Sequence, residues 1–288
     1  MLFLDAETTR RALPMPDAVE AMADAFSGDS EAPLRTLVGV SLVMPGRLDD
    51  HMAVKVVSTV PGNPAGIVVV FGPDGSPIGV VDGPTLTAIR TGAVCGLATR
   101  LLAPEEASTL TVLGAGAMGF DQVEAIRAVR PIGRILVWSR DEAKARALAE
   151  RVGGAAVTDR DAAVAEADIV SCATPSSEPL FAAESVRPGT HINAVGAFTP
   201  EMAELPPGVL ADAFVVVDDR DAAAAEAGDL IRAGRTPDAT LREVLGGPII
   251  PPSGQTTVFK SVGVAAQDVA AGRRALENAA RLGLGWSP

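Results

Sequence analysis

Apolar positions along the chain follow two rhythms. In residues 16–26, Val19, Met22, Ala23 and Phe26 fall on one helical face, and Pro16 and Asp17 suit a first turn, which predicts an opening amphipathic helix. After Pro33 come apolar runs at 37–44, 52–60, 67–71 and 78–81, the last two separated by Gly72-Pro73-Asp74-Gly75-Ser76-Pro77. Turn-forming residues between β-branched segments predict antiparallel strands and a hairpin. Residues 85–102 return to a helical pattern, with Arg90 and Thr91 in its first half and Pro104 beyond its end. Near Ser108 the rhythm changes. A short apolar strand at 109–113, a glycine-rich turn, a helix at 120–129, a strand at 134–138 and a helix at 141–151 follow one another. Further strands are expected at 155–157, 168–173, 191–195 and 214–218, with helical or irregular crossovers between them. This alternation predicts an α/β fold with a parallel, doubly wound sheet. The alanine-rich tail at 261–281, with Val262, Val269 and Leu276 spaced for one face, predicts a long helix outside the βα rhythm, free to pack back on the first part of the chain.

With 288 residues and 48% hydrophobic content, two domains are the first expectation. The formal charge of −12 argues against a nucleic-acid or anionic-membrane partner, because a polyanion needs a basic surface to displace its counterions. A small molecule is the expected partner. The first residues lack a basic stretch followed by an apolar core, and no apolar run approaches the roughly 20 residues that span a bilayer, so the cytoplasm is the expected location. Cys95, Cys172, His51 and His191 are scattered without metal-ligand or redox spacing, so no metal is expected. The cations carry a bias of their own: of 24 lysines and arginines only Lys55, Lys144 and Lys260 are lysines. A lysine in an apolar, strand-like stretch therefore calls for an explanation.

In Leu113-Gly114-Ala115-Gly116-Ala117-Met118-Gly119 the three glycines suit a tight turn, close backbone approach to a pyrophosphate and close helix–strand packing. A helix expected after Gly116 offers N–H groups and a positive dipole end to phosphates, so the stretch predicts a dinucleotide-binding Rossmann unit. Cofactor choice is read after the second strand, where an acid would bond the adenine-ribose hydroxyl and repel a 2′-phosphate. Here the chain has Ser139 and Arg140, which donate to and pair with a phosphate and favour NADP(H) over NAD(H), while Asp141 works in the other direction. Thr174, after the fourth strand, lies where a Rossmann loop meets its cofactor.

Four stretches carry a wider resemblance: 52–58 around Lys55, 82–93 with Leu86-Thr87-Ala88-Ile89-Arg90-Thr91, the glycine turn, and His191-Ile192-Asn193-Ala194-Val195-Gly196. Together they resemble the ornithine cyclodeaminase and mu-crystallin family over residues 33–268. The resemblance implies a homodimer with a substrate-binding and dimerisation domain from residues 1–106 plus 255–288, into which a Rossmann domain, residues 107–254, is inserted. It implies Arg35, Lys55 and Arg90 as substrate-binding residues, and Thr91, Ala117, Met118, Ser139, Val195 and Ser261 as contacts of the dinucleotide.

The residues read by themselves agree. Lys55 is a compact charge in an alternating strand whose pKa shifts readily on burial, which suits a catalytic proton donor. Arg35 and Arg90 are suited to clamp a carboxylate in bidentate fashion. The family's cyclodeaminases carry an acid/base aspartate where this chain has Phe198, which exchanges no protons; Glu201 and Glu204 are the nearby carboxylates that would have to replace it. The expected activity is therefore NADPH-dependent reduction of a small cyclic imine carboxylate, such as Δ1-pyrroline-2-carboxylate, to the L-amino acid. Ornithine cyclodeaminase, an alanine-type dehydrogenase and a non-catalytic, mu-crystallin-like NADPH- or ligand-binding protein are the alternatives.

Overall fold

The computed structural model describes residues 1–60, 65–247 and 249–287. In chain order the elements are β1 (Leu2–Leu4), α1 (Ala6–Ala12), α2 (Met15–Ser27), β2 (Ser30–Glu31), β3 (Thr36–Val38), β4 (Ser41–Leu48), β5 (His51–Ser58), β6 (Gly66–Phe71), β7 (Pro77–Asp82) and α3 (Gly83–Leu102). There follow β8 (Thr109–Leu113), α4 (Gly119–Arg127), β9 (Arg134–Trp138), α5 (Glu142–Val152), β10 (Ala155–Ala156), α6 (Arg160–Glu166), β11 (Ile169–Cys172) and β12 (His191–Ala194). The remainder comprises α7 (Pro207–Asp212), β13 (Phe214–Val217), α8 (Arg220–Glu226), α9 (Gly228–Ala233), β14 (Ala239–Thr240), α10 (Leu241–Gly246), β15 (Thr257–Lys260) and α11 (Ala265–Leu282). Two compact units result, Met1–Val94 with Gly263–Pro288, and Cys95–Val262.

The first unit is built on a mixed sheet in the order β1-β7-β6-β5-β4-β2, with β3 also paired to β4. The strands β4 to β7 form an antiparallel meander, as their alternation predicts, and β1 adds a parallel edge on β7 that the apolar pattern did not reveal. Three residues are too few to show a period. The run at 37–44 is broken by Gly39, at φ +59°, into β3 and the start of β4. One face of the sheet, carrying Met44, Ala53, Val68, Val70 and Val81, is buried, and α11 lies against β4, β5, β6 and α2. The helix is tied down in its C-terminal half: Arg274 pairs with Asp24 at 2.9 Å, and the Asn278 amide donates to the Ala12 carbonyl and the Asp17 carboxylate. It begins at Ala265, four residues later than its composition suggests, because Gly263 at φ +82° cannot continue a right-handed turn.

The opposite sheet face is also apolar. Met52 pairs with Phe71, Val54 with Val69 and Val56 with Ile67 across β5 and β6, and Val69 pairs with Val80 on β7; Ile67 is 48% exposed. An antiparallel sheet with one solvated face ordinarily alternates apolar and polar residues, and this one does not.

The second unit carries an all-parallel sheet in the order β10-β9-β8-β11-β12-β15-β13-β14. The first five strands read 3-2-1-4-5 within this sheet, the doubly wound order of a dinucleotide-binding fold. Its central strands are buried on both faces, as parallel strands covered by helices on either side must be. Helix ends follow local chemistry: Asp141 caps α5 by accepting from the Ala143 and Lys144 amides, and Gly153 ends it in the left-handed conformation. His191 is buried between Thr257, 2.8 Å away, and Asn193, and burial lowers its pKa to about 3, so the imidazole is a neutral member of a structural string. Both cysteines are buried, and neither forms a disulfide. Among the described residues no helix is long and apolar enough to cross a membrane.

Candidate active site

In the first unit a cluster of charge forms around one carboxylate. Lys55 projects from β5 onto the buried sheet face and is only 2% exposed. Its ammonium lies 2.7 Å from Oδ2 of Asp268, in the first turn of α11, where a negative charge also complements the helix dipole. Oδ1 of Asp268 accepts from Nε of Arg90, on α3, at 3.2 Å, and Nη1 of Arg90 donates to Oε1 of Gln267 at 2.8 Å. Arg35, in the segment before β3, donates to the Gly263 carbonyl at 2.9 Å. The structure thus brings Lys55 and Arg90 onto one carboxylate, with Arg35 close enough to act on the Lys55 charge.

The electrostatics follow from this list. Burial lowers the Lys55 pKa from 10.5 to about 8; Asp268 opposes the fall, and Arg90 and Arg35 add to it. Burial would raise the Asp268 carboxyl, but Lys55 and Arg90 hold it below its ordinary value. Two cations share the Asp268 carboxylate and Arg35 adds its charge at Lys55, an arrangement suited to holding a small anion. Asp268 and Gln267 were not visible as site residues in the sequence. Their only local signal is an acid in the first turn of a helix, which is ordinary capping chemistry.

The second unit supplies a different shape. Gly114 has φ +120°, and a Cβ there would lie 2.6 Å from the Ala173 carbonyl oxygen. A Cβ on Gly119 would meet the Gly114 oxygen and Leu148 at 2.8 Å, whereas a Cβ on Gly116 meets nothing within 4 Å. The first and third glycines are thus required by the protein's own packing, and the second leaves open space where a pyrophosphate would approach. The helix starts at Gly119 rather than after Gly116; Met118 occupies the cap position without a side-chain hydrogen bond, and exposed Ala117 precedes it.

Gly114, Gly116, Ser139, Arg140 and Thr174 line one cavity of about 490 Å³, which Asp141, Lys144 and Arg160 also line. Asp141, the acid that argued for NAD(H), directs Oδ1 to the amides of Ala143 and Lys144 at 3.0 and 3.2 Å. Its carboxylate serves the helix. Arg160 lies 5.0 Å from the Trp138 ring. Val195 and Ser261 stand at the ends of the neighbouring strands β12 and β15, Ser261 Oγ donating to Asp218 Oδ2 at 2.7 Å. Neither lines that cavity. Thr91 is buried on α3. Phe198 is 39% exposed, while Glu204 is fully buried with all its acceptance directed at four N–H and O–H donors, so it is no substitute for an acid/base aspartate; Glu201 is exposed.

Comparison with known proteins bears on both sites. The sequence profile of the ornithine cyclodeaminase/mu-crystallin family matches residues 17–282. A Δ1-pyrroline-2-carboxylate reductase from Bacillus cereus is 35% identical over 99% of this chain and 98% of its own length. Among solved structures, Thermococcus litoralis Δ1-pyrroline-2-carboxylate reductase in complex with NADH and L-proline superposes with a TM-score of 0.93 at 29% identity, over 100% of both chains. An archaeal alanine dehydrogenase dimer with bound NAD gives a TM-score of 0.91 at 28% identity, over 99% of this chain and 98% of that one. A parallel sheet whose glycine turn is shaped for a dinucleotide, a buried lysine flanked by arginines, and a match from end to end thus lead to one statement: the chain belongs to the ornithine cyclodeaminase/mu-crystallin family.

Proposed function

We propose that this NAD(P)H-dependent oxidoreductase, which acts on C–N bonds, reduces a small cyclic imine carboxylate, Δ1-pyrroline-2-carboxylate or its six-membered homologue, to the L-amino acid. The observation that carries the reading is the buried ammonium of Lys55 between Asp268 and the two arginines. Arg35 and Arg90 take the substrate carboxylate and fix the neighbouring imine carbon. Lys55, charged below about pH 8, holds a proton at the imine nitrogen, and the resulting iminium carbon is far more electrophilic than a neutral imine. The reduced nicotinamide, when bound, supplies the hydride. Asp268 keeps Lys55 and Arg90 in place and keeps the ammonium from losing its proton below neutrality. In this reading the first unit is the substrate domain and the second the cofactor domain, with Gly114, Gly116, Ala117, Met118 and Gly119 at the phosphates and Thr91, Thr174, Val195 and Ser261 as further contacts.

NADP(H) is favoured over NAD(H) because three cations, Arg140, Lys144 and Arg160, and Ser139 line the cavity beside the glycine turn against one acid there, Asp141, whose Oδ1 is taken up by the amides of α5. A homodimer through the apolar outer face of the first sheet accounts for the Val54, Val56, Ile67 and Val69 pairs, which water would otherwise cover.

The central test is NADPH oxidation with a panel of cyclic imine acids, and with pyruvate plus ammonium for an alanine-type reaction. Turnover with Δ1-pyrroline-2-carboxylate or Δ1-piperideine-2-carboxylate is expected, Lys55→Met lowering kcat by about 10²- to 10⁴-fold; inertness toward every cyclic imine sinks the assignment. The pH profile has a sign. Reduction needs Lys55 protonated, so kcat/KM is flat below about 8 and falls above it, whereas oxidation of L-proline needs the neutral amine and rises through the same region. Asp268→Asn removes the group that raises this pKa, so both limbs move to lower pH; limbs that stay in place place the titration elsewhere.

Cofactor choice is read by Arg140→Ala, which is expected to raise the KM for NADPH about tenfold or more while changing that for NADH less than about twofold. Equal effects on the two cofactors contradict a 2′-phosphate contact. For assembly, light scattering should give twice the 29.3 kDa chain mass for the wild type and the single chain mass for Ile67→Glu. A monomeric wild type removes the dimer.

A further inference from the structure

Among the ionisable side chains buried in the second unit, Glu204, Asp229 and Lys260 form one cluster that has no part in this chemistry. Lys260 ends β15. Its ammonium lies 2.8 Å from Oδ2 of Asp229 and donates to the Ala197 carbonyl, just past β12. Oδ1 of Asp229 accepts from the Glu204 and Leu205 amides at 2.6 and 2.8 Å, fixing the backbone that carries Glu204. Glu204 in turn serves two turns at once. Oε1 accepts from the Thr174 amide at 2.6 Å and its hydroxyl at 2.9 Å, after β11; Oε2 accepts from the amides of Gly196 at 2.7 Å and Ala197 at 3.2 Å, after β12.

Two features make this more than a satisfied core group. The turns touch: a Cβ on Gly196 would run into the Thr174 backbone and lie 2.6 Å from Oε1 of Glu204, so their separation is set by the carboxylate and permits only glycine. The strands concerned, β11, β12 and β15, are neighbours, and ligands of such sheets bind beyond the carboxyl ends of the strands. In the two mononucleotide-binding halves of the fold, β8 to β10 serve the adenosine half and the strands from β11 onward the nicotinamide half. Burial pushes the Glu204 carboxyl upward, and Lys260 and the Thr174 amide pull it back. All four groups bonded to its oxygens are donors, so the ionised form is the one that fits.

We propose that Glu204, seated by Asp229 and Lys260, is a positioning residue that locks the turns after β11 and β12 into the shape that receives the nicotinamide half of the dinucleotide. It touches neither substrate nor cofactor; it acts through Thr174, Gly196 and Ala197. The inference rests on the cofactor reading given above.

The test is a pair of titrations on the full chain. NADPH and adenosine 2′,5′-bisphosphate, which carries the adenosine half alone, are titrated against wild type, Glu204→Gln and Glu204→Asp. In Glu204→Gln an amide N–H₂ must face backbone N–H groups, and in Glu204→Asp the shortened carboxylate reaches one turn only. For whichever variant folds, the expected result is a Kd for NADPH raised about tenfold or more with the bisphosphate within about twofold of wild type. Parallel losses for both ligands mark a merely structural role and overturn the proposal, as do unchanged affinities. If neither variant folds, the role is structural and the proposal fails. Failure of the wild type to bind NADPH or NADH is distinguishable from all of these, because it overturns the cofactor reading itself and this inference with it.

Discussion

A single carboxylate, that of Asp268, makes the basic cluster possible. An ammonium and a guanidinium buried beside each other, with no counter-charge, carry a desolvation cost of several kcal/mol per ion, and the lysine meets that cost by losing its proton. With Asp268 at 2.7 Å from Lys55 and 3.2 Å from Arg90, two of three cations are held charged in a dry place. Around Lys55 and Arg90 this one carboxylate faces two cations, an imbalance that suits the cluster to a small anion.

That requirement explains the chain's route. Lys55 is on β5, Arg90 on α3 and Asp268 on α11, so the counter-ion comes from the far end of the sequence. The helix that bears it must return to the first sheet after the whole second unit has been made, and it is fastened there by Arg274 and Asn278. Deletion of α11 therefore removes a sheet cover and a counter-charge together.

How much of this the sequence disclosed depends on the range of each interaction. The glycine turn was legible because its three roles are local: φ at Gly114, open space at Gly116 and packing at Gly119 are set within six residues and their immediate neighbours. Lys55 stood out through contrast, a lysine inside an apolar alternation in an arginine-rich chain. Asp268 did not, because an acid in a first helical turn has a sufficient local explanation, and its partners lie 178 and 213 positions away. Arg160 beside the cavity at the glycine turn was hidden likewise, since it opens α6, in the next βα unit. Strand β15 was missed as well: Thr-Val-Phe-Lys is four residues long, and a lysine at its end reads as a strand leaving the core rather than one entering it.

Lys55 and Lys260 show how position decides the use of the same pair. Each buried ammonium faces an aspartate at nearly the same distance, 2.7 and 2.8 Å. Around Lys55 the next charges are arginines, which lower its hold on a proton and make proton transfer near neutrality feasible. Around Lys260 the next groups are a carbonyl and a second carboxylate, Glu204. The first pair therefore belongs to a group whose protonation changes near pH 8, and the second ties the end of β15 to the turn after β12 as part of a hydrogen-bonded scaffold.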